Sequence, residues 1–417
     1  MGYLLALTVF LAPTYVIKFE VFGLPANLLM LWVFVFWVIF ASNLSYKKRW
    51  ADFFYTSFSI NRTLLVAILA FFFAGTFSLF VYGFSTAKLG QFLVLFLQPI
   101  SLFIIGRFIF LQNPKAKSLL LTTCYLLLAL MGVYATLQYF TLIGLPEAYW
   151  GNNIEPKRAL SIFAHPNFYS LFITPLLAFL LPDAIASLKS KILNLKLLAW
   201  IIGAAGLFFS LSRAGWLGLL AAVIAYMIVA ADKKMRLAFF ALMVVGIIFV
   251  FSITNLRYRI ILPLLGEKSA ISRTSLWQTG FKGIQESPIP GMGLVGFSQN
   301  WSRLNTDPNI DSHNYPHNIF LNFWVETGLL GLICFIIISA MIIYRGLRHY
   351  VIPEAASAKR GGYPESKTWI PNQTQDNIIR LGISLFFIAL ITQGLIDNPY
   401  FKNDLALIFW IILSLAI

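Results

Sequence analysis

Leu64-Leu-Val-Ala-Ile-Leu-Ala-Phe-Phe-Phe-Ala-Gly-Thr-Phe-Ser-Leu-Phe-Val81 carries no charged residue and no apolar/polar alternation. As a helix rising about 1.5 Å per residue it is about 27 Å long, close to the roughly 30 Å hydrocarbon core of a bilayer. A barrel strand would alternate its faces with period two, which this run does not. The stretch is therefore a membrane-spanning helix, and the remaining chain repeats the pattern.

Reading outward from it, spans are expected at Tyr3–Ile17, Ala26–Ser42, Leu64–Tyr82, Leu89–Phe110, Leu119–Leu142, Phe168–Leu181, Leu197–Leu211, Gly215–Ala231, Leu237–Ile253, Pro316–Tyr344, Ile378–Leu395 and Leu405–Ile417. The expected fold is an all-α polytopic membrane protein of about twelve transmembrane helices. It forms a single integral membrane domain over 1–417, with a large loop at 254–315 containing short helices and a polar connecting loop at 346–377. Composition agrees. The chain is 59% hydrophobic and 11% charged with mean hydropathy +0.79, whereas soluble domains carry about 25% charged residues. The first apolar run has no basic residue ahead of it and no small-residue cleavage site after it, so it reads as a span and not as a signal peptide. Cys124 and Cys334 both fall inside apolar runs, which supports neither a disulfide framework nor a metal cluster.

Lys and Arg set the orientation, since their excess belongs on the cytoplasmic side. With the amino terminus inside, 19 of the 31 basic residues face the cytoplasm and 12 face out. Seven of those twelve lie in two places, the turn at Arg213 and the loop 254–315. A basic patch against the topogenic bias points to an anionic ligand at the outer interface. The net charge of +15 is otherwise explained by inner loops lying against anionic lipid, and no nucleic-acid module is present.

Chemistry concentrates in His313-Asn-Tyr-Pro-His317-Asn318-Ile-Phe-Leu-Asn-Phe-Trp-Val-Glu-Thr-Gly328-Leu-Leu-Gly331, which holds two of only four histidines. Proline is favoured at the first helical position, so Pro316 places His317 in the first turn of a helix, where an imidazole can accept a proton. A lone histidine is more often structural, but His313 and Asn318 beside it favour a site. The His-x-x-x-His spacing would suit zinc on a continuous helix, yet Pro316 interrupts it, only Asp311 is near, and no metal site is expected. Arg213, in Phe-Ser-Leu-Ser-Arg-Ala-Gly-Trp, either snorkels to lipid phosphate or points into a cavity, and Ser210, Ser212 and Gly215 make the turn sharper and more polar than an anchor requires. Arg273 follows Ser272, read as an N-cap, and opens a helix whose apolar positions Leu276, Trp277, Gly280, Phe281 and Ile284 suit the membrane surface. Gly291-Met-Gly-Leu-Val-Gly296 spells Gly-x-Gly-x-x-Gly without a preceding strand, which makes it a turn and not a dinucleotide site.

Together these residues resemble the O-antigen ligase and polymerase superfamily of bacterial inner-membrane proteins. Its ligase members carry His, then Asn, Ser or Gln, nine residues, Gly, two residues, Gly. His317, Asn318, Gly328 and Gly331 reproduce that spacing. Arg213 and Arg273 match the family's arginines by position, and Arg158 to Asn167, Arg-Ala-Leu-Ser-Ile-Phe-Ala-His-Pro-Asn, resembles another recurrent element. The resemblance implies a GT-C-like glycosyltransferase that needs no cofactor and has its active site on the periplasmic face. Its donor is glycan on undecaprenyl pyrophosphate; the acceptor is lipid A-core in a ligase or a second lipid-linked repeat in a polymerase. It implies His317, Arg213 and Arg273 as catalytic, with Arg158, His313 and Asn318 binding substrate; Arg257, Arg259, Arg303 and His165 receive no role. An anion transporter could use the same arginines, but mid-span carboxylates are almost absent and no internal repeat is visible.

Overall fold

The computed structural model describes residues 1–21, 24–152, 156–189, 194–254, 257, 261, 268–305, 307, 310, 313–351 and 375–416. The helices are α1 (Gly2–Phe10), α2 (Leu28–Tyr46), α3 (Trp50–Phe58), α4 (Arg62–Ser78), α5 (Thr86–Phe92), α6 (Gln98–Gln112), α7 (Lys115–Thr141), α8 (Pro166–Ala186), α9 (Leu195–Phe209), α10 (Arg213–Val229), α11 (Lys233–Ser252), α12 (Lys268–Glu286), α13 (Gly296–Gln299), α14 (Trp301–Leu304), α15 (Ile319–Val351), α16 (Gln375–Gly394) and α17 (Asn403–Ser414). Asn27, Asn61, Asn194 and Asp232 each accept a backbone N–H at the start of α2, α4, α9 and α11, as short polar side chains do at helix entries.

The protein is a polytopic helical membrane protein. Among the described residues seven helices are long and apolar enough to cross a membrane, eight if α3 and α4, bent by 103° at their junction, form one span; α9, α10 and α17 are shorter apolar helices. Eleven of the twelve expected spans coincide with helices. The first differs: α1 is only 9 residues long, and Pro13 begins a 3₁₀ turn over Ala12–Val16. A two-stranded antiparallel hairpin comes next, β1 (Lys18–Val21) and β2 (Leu24–Asn27), which hydropathy did not signal. Of the expected loop 346–377, residues 346–351 continue α15 and 375–377 begin α16, while 352–374 lie outside the described residues, as do Asp311 and Arg259.

Small residues let the helices that carry the site approach closely, as membrane packing favours. A Cβ on Gly218 of α10 would lie 2.9 Å from Ala389 O of α16, and one on Gly382 of α16 would strike Phe179 O of α8. Gly132 of α7 faces the backbone of α9 at Ile202 in the same way. Helices α8, α10 and α16 thus form one tight group, and Gln393 Nε2 donates to Ser170 Oγ (3.0 Å) inside it. Not one residue of α11 is buried.

Candidate active site

The start of α15 meets the chain around residues 395–397, just past the last turn of α16. Three of the side chains singled out in the sequence converge there. Asn318 Nδ2 donates to Leu395 O (3.1 Å), Arg273 Nε donates to Ile396 O (3.1 Å), and His317 Nδ1 lies 2.9 Å from Asp397 Oδ1. Asp397 is 1% exposed and also accepts the Asn398 N–H (2.8 Å). Burial alone would raise its pKa, but the charge and hydrogen bond of His317, the charge of Arg273 and the Asn398 N–H hold it below the usual carboxylate value. Sequence reasoning missed Asp397, which stands 80 positions from His317.

Two local expectations are corrected by the structure. His317 is not in the first turn of α15. It precedes the helix with φ +50°, and Asn318 is the cap, its Oδ1 accepting the Leu321 N–H (3.0 Å). A residue in the left-handed region is uncommon, His less so than most, and the turn aims the ring back at Asp397. Ser272 is likewise not a helix cap: α12 begins by Lys268, because the apolar and small residues before Arg273 extend the helix, and Arg273 lies in its second turn. On that helix Leu276 and Ile284 are buried and Gly280 packs against Leu321 of α15, while Phe281 stays exposed.

Arg213 is the first residue of α10, after a turn in which Ser210 and Ser212 are buried. Arg158 braces that turn: its Nε donates to Ser210 O (3.0 Å), its Nη2 donates to Asn167 Oδ1 (2.8 Å), and Ala159 N–H donates to Phe209 O (2.9 Å). His165 caps α8, its Nδ1 accepting the Asn167 N–H (3.0 Å). Burial first, then the charge of Arg158, pushes its pKa down to about 4; the charges of Asp397, Lys402 and His317 also reach it, so the start of α8 borders the same site. His313 lies beside His317, ring centroids 5.6 Å apart, with Trp301 at 6.0 Å on its other side. Arg303 instead pairs with Glu286 (2.7 Å) on the surface.

The glycine-rich turn explains the glycines downstream of His317. Helix α15 is broken at Gly328 (φ +70°, ψ −178°), and the segment Ser287–Phe297 fills the break. Leu329 N–H donates to Ile289 O (3.0 Å), Met292 N–H to Val325 O (2.6 Å) and Trp324 Nε1–H to Pro288 O (2.7 Å), while the buried Glu326 carboxylate accepts the N–H groups of Val295 and Phe297. Gly291 (φ +70°) must be Gly here, since a Cβ would lie 2.6 Å from Val325 O and 2.7 Å from Gly328 N. The half-helix Ile319–Thr327 is thus gripped at one end by this wedge and at the other by Asn318 on Leu395.

Chemically, a carboxylate on Nδ1 keeps the neutral ring protonated there and leaves Nε2 as the acceptor, with the Arg273 guanidinium nearby to meet developing negative charge. No curated protein matches the chain. Residues 198–336, a third of its length and the part holding Arg213, Arg273, His317 and Gly328, match the model of the family described as O-antigen ligase, which supports the chain's place in the O-antigen ligase and polymerase superfamily.

Proposed function

We propose that this protein is an O-antigen ligase, transferring glycan from undecaprenyl pyrophosphate to a sugar hydroxyl of lipid A-core at the periplasmic face of the bacterial inner membrane, without a metal and with inversion. The observation that carries the reading is the pairing of His317 with Asp397 beside Arg273, within the matched segment. His317 Nε2 takes the proton of the acceptor hydroxyl as its oxygen attacks the anomeric carbon. The bond from that carbon to the pyrophosphate oxygen breaks, and the electron pair leaves with the pyrophosphate. Pyrophosphate departs as an anion and needs no general acid; Arg213 and Arg273 stabilise it with always-charged, planar donors. Asp397 holds the ring and answers the positive charge that forms on it. Arg158 keeps the Arg213 turn in place, and His313 and Asn318 shape the pocket.

The test is transfer by the purified protein in detergent, given undecaprenyl-pyrophosphate oligosaccharide with and without lipid A-core. Product only when core is present is the expected result. Lengthened lipid-linked glycan in the absence of core would make it a polymerase, and solute uptake into proteoliposomes without transfer would make it a transporter. Activity is expected to survive EDTA; a collapse that divalent ions restore would refute the metal-free mechanism.

A further inference from the structure

Two donors near the site are left out of that mechanism. Lys402 precedes α17 and places its ammonium over the Phe168 ring. Among the described residues its side chain makes no hydrogen bond or ion pair: Asp397 is engaged by His317, and the buried Asp404 does not reach it. A half-buried cation without an ion pair is costly unless an anion completes it. Burial lowers its pKa, opposed by the charges of Asp404 and Asp397. His165 stands on the same ring, its centroid 5.5 Å from that of Phe168. Because Nδ1 accepts the Asn167 N–H, the neutral ring carries its proton on Nε2, which has no partner among the described residues and is not sealed from solvent. One open N–H and one unpaired ammonium therefore share the Phe168 ring, beside the His317–Asp397 pair.

We propose that His165 and Lys402 form a subsite for a phosphate group, separate from Arg213 and Arg273. Resting on the transfer reading, the phosphate belongs to a membrane-borne substrate: it is either one phosphate of the donor's pyrophosphate or a phosphate on the acceptor.

Equilibrium binding to the full-length protein in detergent tests this without turnover, so it stands or falls apart from the transfer reading. The probes are undecaprenyl pyrophosphate against undecaprenyl phosphate, and lipid A-core with and without its phosphates. The wild type is expected to prefer the more phosphorylated member of one pair. Lys402→Gln should erase about tenfold of that preference, the scale of one charge-assisted hydrogen bond. Lys402→Arg should keep it, and His165→Phe should weaken it where His165→Gln, which retains an N–H donor, does so less. Loss in the first pair assigns the subsite to the donor, and loss in the second to the acceptor. The proposal is overturned if the wild type shows neither preference, if both survive in Lys402→Gln and His165→Phe, or if the variants weaken all four probes equally.

Discussion

His317→Ala is expected to lower kcat by about 10² to 10⁴, the range a positioned general base supplies, while the KM for lipid-linked donor changes little. Asp397→Asn should fall in the same direction. An amide at that place can donate to Nδ1 where the carboxylate accepted, which would put the ring proton on Nε2 and remove the acceptor the mechanism needs. Because the two act as one unit, the double variant should be no slower than His317→Ala alone. Single-turnover rates of the three variants check this, and near-normal transfer by His317→Ala would end the assignment. The pairing also has a pH signature. Asp397 is held below the usual carboxylate value, so the stability it contributes is complete above the unfolded-state carboxylate pKa and is lost as pH falls through the folded one. Acid unfolding of Asp397→Asn should accordingly lack that contribution.

The spans were legible because each is an apolar run, and hydropathy needs nothing more than the local sequence. Where tertiary contacts decide, hydropathy failed. Tyr3–Ile17 is as apolar as the other runs, but Pro13 divides it and the chain then turns back as a hairpin. Pro316–Tyr344 reads as one continuous helix, since nothing in its composition marks the break at Gly328; the break exists because a segment about 35 residues upstream is inserted there. Only the two glycines hinted at it, through spacing and not through a physical reason visible in the chain. Arg213, Arg273, His317 and Asn318 were found because charged and imidazole groups are scarce in this sequence. Asp397 is equally scarce, but a single acid in Leu-Ile-Asp-Asn-Pro-Tyr has no local pattern to distinguish it, and its role emerges only from the fold that returns α16 to the start of α15. His165 was visible in the Arg158–Asn167 element, while its tautomer and its neighbours Phe168 and Lys402 were not.

Gly328→Ala is expected to abolish transfer to the limit of detection, at least 10²-fold, and to lower thermal stability by several degrees. With φ +70° and ψ −178°, Gly328 occupies a region essentially closed to residues with a side chain, at a cost of order 1–3 kcal/mol. A Cβ there would also strike Ile289 O and lie 2.7 and 2.8 Å from the C and O of Pro290. These are backbone atoms, so no rotamer change relieves the contact. Either α15 straightens or Ser287–Phe297 withdraws, and in both cases the hydrogen bonds from Leu329, Met292 and Trp324 are lost, each worth about 1 kcal/mol net. The damage reaches the chemistry because the half-helix Ile319–Thr327 carries Asn318 and His317 at its far end, about two and a half turns away. A ring displaced by about 1 Å from its position against Asp397 is enough to cost about 10² in rate. Gly331→Ala is the milder comparison: Gly331 has no left-handed φ, and its Cβ would meet Thr327 Oγ1, which can rotate at the cost of its bond to Phe323 O (2.7 Å), and Thr327 Cβ at 2.5 Å, which requires a local shift of the turn. That variant should keep measurable transfer and lose less stability. Near-normal transfer by Gly328→Ala would show that the wedge does not hold the break, and that His317 is positioned by Asn318 and Asp397 alone.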